Sequence, residues 1–309
     1  MMTRQRPALG ISLILVTAAC FAALDTSIKY LGAFMPVLLI VWTRYTIQAL
    51  VMLVWVARSK TAGFRPTHPK FQFIRGALLL ATSAMAAFGV QRMPVAEFTA
   101  INMLTPVGVT FLAAWFLNEP VSRLRWALVI GCLAGALIVI RPGSGLFGWA
   151  VLFPLGAAST YAAFQVLTRK LAGLENPFTT HFYTGATGFA ILTPLLLLSP
   201  IDVRGALASA SPFQFALLLE MALMGTIGHL LLILALGLAP TAVLMPFIYT
   251  QIATAAAVGW LVFGYVPDGW AWVGMGVIVV CGAASAWLNV HETALRKRKP
   301  PVTADASVK

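Results

Sequence analysis

Ten apolar stretches, each near 20 residues long, fill this chain and divide into two sets of five that echo one another. About 20 helical residues cover the ~30 Å hydrocarbon core of a bilayer, since each residue rises ~1.5 Å. A helix also pairs its backbone groups internally, which lipid requires. The stretches predict spans at 8–30, 36–57, 72–91, 94–117, 124–141, 147–168, 178–199, 213–236, 240–262 and 269–289. Only 10% of residues are charged and mean hydropathy is +0.89, far from the ~25% charge of soluble domains. Connections are short, the longest being 58–71 and 200–212, so no soluble catalytic domain fits between spans. The polar segment 291–309 reads as a disordered basic tail.

The formal charge of +12 raises nucleic acid as a partner, but the basic residues crowd onto alternate connections. Arg4, Arg6, Arg58, Lys60, Arg65, Lys70, Arg75, Arg123, Arg125, Arg169, Lys170, the run 296–299 and Lys309 fall on one side, with Lys29, Arg92, Arg141 and Arg204 opposite. This bias marks the first side as cytoplasmic, puts both termini there and makes membrane lipids, not nucleic acid, the expected partner. The apolar run after Arg6 is too long for a cleaved signal, and it ends in FAALDTSIKYL (21–31), echoed by YAAFQVLTRKL (161–171). Cys20, Cys132 and Cys281 lie inside spans without metal spacing, so neither a metal nor a cofactor is expected.

A second echo strengthens the repeat: Pro94 and Pro240, and Trp126 and Trp272, stand at the same offset of 146. Five spans is an odd number, so the second copy enters the membrane from the opposite side. Residues 1–143 and 144–290 are the expected units. Inverted repeats commonly hold a substrate near the midplane and alternate access by rocking one unit against the other.

Residues 94–106 read PVAEFTAINMLTP, followed by FLNEP at 116–120, Arg125–Trp126, and Gly131 and Gly135. This resembles the EamA repeat of the drug/metabolite transporter superfamily, as do Asp25, Lys29, Pro36 and Arg44 of the first two spans. The resemblance implies an all-α integral membrane fold: ten transmembrane helices as two inverted five-helix repeats around a central cavity. It implies transport of amino acids, amines, S-adenosylmethionine-like solutes, flavins or drugs. The second copy departs at GYVPD (264–268), where Tyr265 stands in place of Glu119.

Buried charge is costly in hydrocarbon, at ~2.5 kcal/mol or more, and usually marks a site. Asp25, Arg44, Glu97 and Glu220 fit that description, at depths of ~5 to 12 Å below the side opposite the termini. Arg44 can pair with Asp25 as a fixed strut, Glu97 suits a helix N-terminus after Pro94, and Lys29 can snorkel to the interface. Glu220, with only apolar neighbours, is the first candidate for a protonatable or cation-binding group. His229 and His181 are further candidates, one facing a cavity while the other packs; His68 and His291 read as solvated. Asn102, Tyr161, Gln165, Tyr183, Tyr249 and Gln251 are polar pocket candidates, and Pro106 and Pro246 suggest kinks beside them. Trp42 and Trp260 can stack on a ligand, whereas Trp126, Trp149, Trp270 and Trp272 suit the interfaces. Gly131 and Gly135 mark a close-packing seam, within the chain or between two copies of a homodimer.

The chain carries no HExxH, GxSxG, paired-Asp or Walker sequence, so an intramembrane enzyme has no constellation to work with. A channel lacks a filter sequence. Without an ATP site, transport is facilitated or ion-coupled. Three acids against one deeply placed base favour a positive or zwitterionic solute.

Overall fold

The computed structural model describes residues 6–116, 122–141, 146–171, 174–238, 244 and 247–298, and these are helical almost throughout. Six helices are long and apolar enough to cross a bilayer: Ala8–Leu31, Val37–Arg58, Pro69–Val90, Gly148–Thr168, Pro177–Leu198 and Pro212–Ala235. Val95–Val109, Trp126–Ile140, Thr250–Phe263 and Gly269–Ser285 are shorter apolar helices. In chain order the helices are α1 Pro7–Leu31, α2 Val37–Arg58, α3 Pro69–Val90, α4 Val95–Asn102, α5 Thr105–Phe116, α6 Arg123–Ile140, α7 Leu152–Leu171 after a 3₁₀ turn, α8 Pro177–Leu198, α9 Val203–Ala208, α10 Pro212–Leu238, α11 Thr250–Phe263 and α12 Gly269–Arg298.

Three features differ from the sequence expectation. The stretch 94–117 is not one helix: Pro106 has no N–H to give the Asn102 carbonyl, the Thr105 hydroxyl bonds that carbonyl at 2.8 Å, and the helix breaks into α4 and α5. Thr250 repeats the device at the start of α11, its hydroxyl 2.6 Å from the Phe247 carbonyl; Pro246 lies outside the described residues. The connection 200–212 contains α9, whose first turn is capped by the Asp202 carboxylate accepting from the Gly205 N–H at 2.9 Å. Finally, the expected tail is helical as far as Arg298. Glu292, Ala294, Leu295 and the basic residues after them are strong helix formers, and the cations suit a helix C-terminus.

Helices pack in antiparallel pairs. Residue numbers that rise along one helix meet falling numbers on its neighbour: Arg75 with Thr168 and Thr82 with Thr160 join α3 to α7. The α1–α10 pair is joined by Ser27 with Glu220 and by Phe21 with His229. Likewise α2 lies on α8, α4 on α11 and α6 on α12. The bundle therefore has two ends, one carrying His68 and the other Tyr265.

Small residues set the closest approaches. Gly135 of α6 faces Gly274 of α12 so closely that a Cβ on either would meet the other's carbonyl oxygen at 2.9 or 2.7 Å. Gly131 faces Cys281 on the same helix. The seam expected at Gly131 and Gly135 is thus filled by α12 of the same chain and is not free for a second copy. A Gly274→Val substitution should destabilise the purified protein by about 2 kcal/mol, because rigid backbone must move. Gly276, where an added Cβ would meet nothing within 4 Å, is the control on the same helix: Gly276→Val should leave the thermal-shift midpoint in detergent unchanged.

Candidate functional site

Polar residues recur on α3 at Gln72, Arg75, Thr82 and Ser83, and on α8 at Thr180, His181, Thr184 and Thr187, at helical spacing within otherwise apolar sequence. The antiparallel packing turns these stripes inward, where they meet α2, α7 and α10. The result is a buried polar column along the bundle interior.

Arg75, 1% exposed, anchors the column near the His68 end. Its Nε donates to Thr168 Oγ1 at 2.7 Å, and Nη1 donates to Thr184 Oγ1 at 2.7 Å and to the Thr180 carbonyl at 3.2 Å. The guanidinium also covers the Phe164 ring at 4.5 Å. Arg75 is therefore an interior strut linking α3, α7 and α8, not the interfacial cation its place in the sequence suggests.

His181 and His229 occupy the middle, with ring centroids 6.5 Å apart. Each ring donates one N–H to a backbone carbonyl of α10, His181 Nε2 to Thr226 at 3.2 Å and His229 Nδ1 to Gly225 at 2.9 Å. Because a carbonyl only accepts, these bonds put a proton on His181 Nε2 and His229 Nδ1. Phe21 packs on His229 at 4.7 Å, and Tyr161, stacked on Phe164, lies edge-on to it at 6.5 Å. The expectation of one packed and one cavity histidine gives way to a pair that shares one environment.

Arg44, 3% exposed, closes the column toward the Tyr265 end. It donates to Ser83 Oγ, which also meets the Tyr45 hydroxyl at 2.9 Å. No carboxylate among the described residues pairs with it: the ion pairs there form at His68–Glu175 and Arg141–Asp268. The expected Arg44–Asp25 strut is absent. Two buried donors, Arg44 Nε and Tyr161 Oη, have no acceptor among the described residues. An unmet buried donor costs ~1–3 kcal/mol, so both groups are held at a cost that an acceptor would relieve.

The other candidates divide among several places. Asp25 is buried on α1, and Glu220 is half-buried and accepts from Ser27 Oγ at 2.7 Å. Glu97 is buried at the Tyr265 end, accepting from the Tyr265 hydroxyl at 2.6 Å. Asn102 ends α4 at the helix break, its Oδ1 buried without a partner among the described residues. Gln251 is buried in α11, and Gln165 is half-buried on α7. Three candidates lie away from the column. Tyr249 packs against Gly282 of α12, Trp42 donates to Thr193 Oγ1 at 3.0 Å on the α2–α8 face, and Trp260 is 57% exposed. Tyr183 donates to the Phe64 carbonyl at 2.7 Å in the strapped connection at the His68 end, where His68 meets Glu175. Lys29 does not snorkel outward; its Nζ bonds the Val90 and Met93 carbonyls at 2.7 and 2.8 Å, capping α3. Glu119 and Pro240 lie outside the described residues.

The column separates structural from free polar groups, and substitution should expose the difference. Arg75→Met, which removes the three bonds that tie α3 to α7 and α8, should cost about 3 kcal/mol of stability. Tyr161→Phe removes a hydroxyl that bonds nothing among the described residues, so its thermal-shift midpoint should equal or exceed that of the parent.

Comparison with known proteins gives this interior its context. The chain is 30% identical to a riboflavin transporter of Rhizobium johnstonii over 84% of its own length and 82% of the relative's. It is 25% identical to an S-adenosylmethionine uptake transporter of Rickettsia bellii, covering 84% and 87%. It is 23% identical to a pseudopaline exporter of Pseudomonas aeruginosa, covering 88% and 93%. A solved crystal structure superposes with a TM-score of 0.65 at 17% identity, over 93% of this chain and 97% of that one. The EamA-like transporter family matches residues 8–141. The chain is thus a membrane transporter, not an enzyme, and belongs to the EamA-like family of the drug/metabolite transporter superfamily.

Proposed function

We propose that this protein is a secondary transporter carrying a small zwitterionic metabolite, such as an amino acid or an S-adenosylmethionine-like solute, across the bacterial inner membrane by alternating access. The observation that carries the substrate class is the pair Asp25 and Arg44. Both are buried, yet they form no ion pair. Opposite charges kept apart in a low-dielectric interior suit a ligand that bridges them, an ammonium or sulfonium toward Asp25 and a carboxylate toward Arg44 Nε and Tyr161 Oη. Glu220, beside Ser27, is placed to exchange a proton or to assist the cationic end.

Ten spans in two inverted units, 1–143 and 144–290, are the architecture this mechanism uses. Reciprocal packing supports it. Exchanging the units turns the contact of α1 with α10 into that of α7 with α3, and the contact of α2 with α10 into that of α8 with α3; each of these contacts is present. The pairs α2–α8, α4–α11 and α6–α12 map onto themselves. The His68 end, beside Arg58, Lys60, Arg65 and Lys70, is the cytoplasmic one, with both termini on that side.

A flavin is the second reading. The 30% identity to a riboflavin transporter and the ring set of Phe21, Tyr161, Phe164, His181 and His229 favour a planar, acceptor-rich solute. Proteoliposomes loaded in parallel with S-adenosylmethionine, an amino-acid mixture or riboflavin, with and without a pH gradient, decide between them. Arg44→Gln should cut uptake of the zwitterion about tenfold or more while leaving the thermal-shift midpoint near the parent's, in line with the ~1.5–3 kcal/mol of a charge-assisted bond. Undiminished transport in both Arg44→Gln and Glu220→Gln sinks the zwitterion assignment, and saturable riboflavin uptake puts the flavin in its place.

A further inference from the structure

Away from the column, a pocket of about 360 Å³ opens to the surface at the Tyr265 end, where α1, α4 and α11 meet. Small residues, Ala96, Ala256 and Gly259, leave the space, and Phe263 and Tyr265 give it an aromatic lining. The charged residues that line it are both cations, Lys29 and Arg92. Lys29 Nζ donates to the Val90 and Met93 carbonyls at 2.7 and 2.8 Å, which holds the ammonium at the pocket and leaves one of its three donors. The Arg92 guanidinium lies on the rings of Phe88, Trp149 and Phe153, so it adds positive potential from a fixed place.

Gln91, at the end of α3, carries the more telling group. Its Nε2 is buried and meets no acceptor among the described residues. The amide occupies the space beside Gly32 that any side chain there would claim, so the glycine is what lets it reach the pocket. A buried donor without an acceptor is costly, and one that lines a cavity can be satisfied by a ligand. The start of α4 works in the same sense. Pro94 gives it no side-chain cap, and the bond from the Phe98 N–H to the Pro94 carbonyl opens the helix, so the N–H groups of Val95 and Ala96 have no acceptor within it. The acids of this end do not line the pocket: Glu97 accepts from the Tyr265 hydroxyl at 2.6 Å, and Asp268 meets Arg141 at 2.6 Å.

We propose that this pocket is a second binding site, which takes a small organic carboxylate with a flat apolar body. The carboxylate lies between Lys29 and Gln91, where charge-assisted bonds hold it, and the body lies along Ala256, Gly259 and Phe263. The site shares no residue with the Arg44 column and does not depend on which solute the column carries.

Gly259→Cys reports its occupancy, since a Cβ at that position meets nothing within 4 Å. In phosphatidylcholine nanodiscs, benzoate should slow N-ethylmaleimide labelling of this cysteine saturably, whereas benzamide, its neutral counterpart, should not; the protein without the cysteine is the blank. Gln91→Met keeps the length of the side chain and removes the donor. It should raise the benzoate concentration for half-protection about tenfold and leave the thermal-shift midpoint unchanged. Lys29→Met should abolish protection, but it also uncaps α3, so Gln91→Met is the deciding variant. Arg44→Gln should protect as the parent does, whether or not its uptake falls, which keeps this site and the zwitterion reading separately testable. No protection by benzoate, equal protection by benzamide, full protection in Gln91→Met, or its loss in Arg44→Gln overturns the site. Labelling that is already slow in phosphatidylglycerol nanodiscs and indifferent to benzoate overturns it as well, since a lipid headgroup then fills the pocket.

Discussion

A backbone carbonyl left bare in hydrocarbon costs several kcal/mol, and the rest of this molecule is arranged around that constraint. At several helix ends a side chain takes over a backbone bond. Thr105 serves the Asn102 carbonyl that Pro106 cannot, and Thr250 does the same for Phe247. Lys29 reaches the two carbonyls at the end of α3, spending its charge on a helix terminus where cations are favoured. Even the two buried histidines are fixed by carbonyls of α10. Backbone satisfaction comes first, and what each side chain has left over is available for function.

That remainder distinguishes the two buried arginines. Arg75 gives its donors to threonines and a carbonyl and rests its face on Phe164, so its charge is dispersed and its position fixed. Arg44 is bound to Ser83, yet its Nε meets no acceptor among the described residues, and the Tyr161 hydroxyl is in the same condition. A fold that could have ended in an Arg44–Asp25 ion pair instead keeps the charges apart. Under the zwitterion proposal this has a use: a pre-formed pair would be a competitor that any ligand must displace, whereas unpaired groups offer none.

The parts legible in the sequence are those that the bilayer dictates locally. Length and hydropathy place most helix ends to within a few residues, though not the start of α11 at Thr250 or the end of α12, and Pro106 marks the break, because these depend on neighbours along the chain. Arg75 is hidden by its position just after the basic connection 58–71, although the helical spacing of Gln72, Arg75, Thr82 and Ser83 signals an inward polar stripe. The extension of α12 to Arg298 escapes hydropathy because it rests on helix propensity once the apolar run has ended. Glu97 and Tyr265 lie 168 residues apart, and no local pattern couples them. The same holds for Trp260, whose depth in the span suggests a ligand and whose helix face turns it outward.

Symmetry explains why the unshared residues matter. If the two units were identical, the states open to either side would have equal energy, and the protein would have no preferred resting face. Under the inverted-unit reading proposed above, a contact that exchange of the units maps onto itself sets no preference, and at the level of whole helices α2–α8, α4–α11 and α6–α12 are of this kind. Only residues without a counterpart can set one. Asp25, Arg44, Glu97 and Glu220 lack charged equivalents in the other unit, and Tyr265 stands where the first unit has Glu119. Under that reading, any difference between the two faces therefore has to come from residues that one half carries and the other lacks.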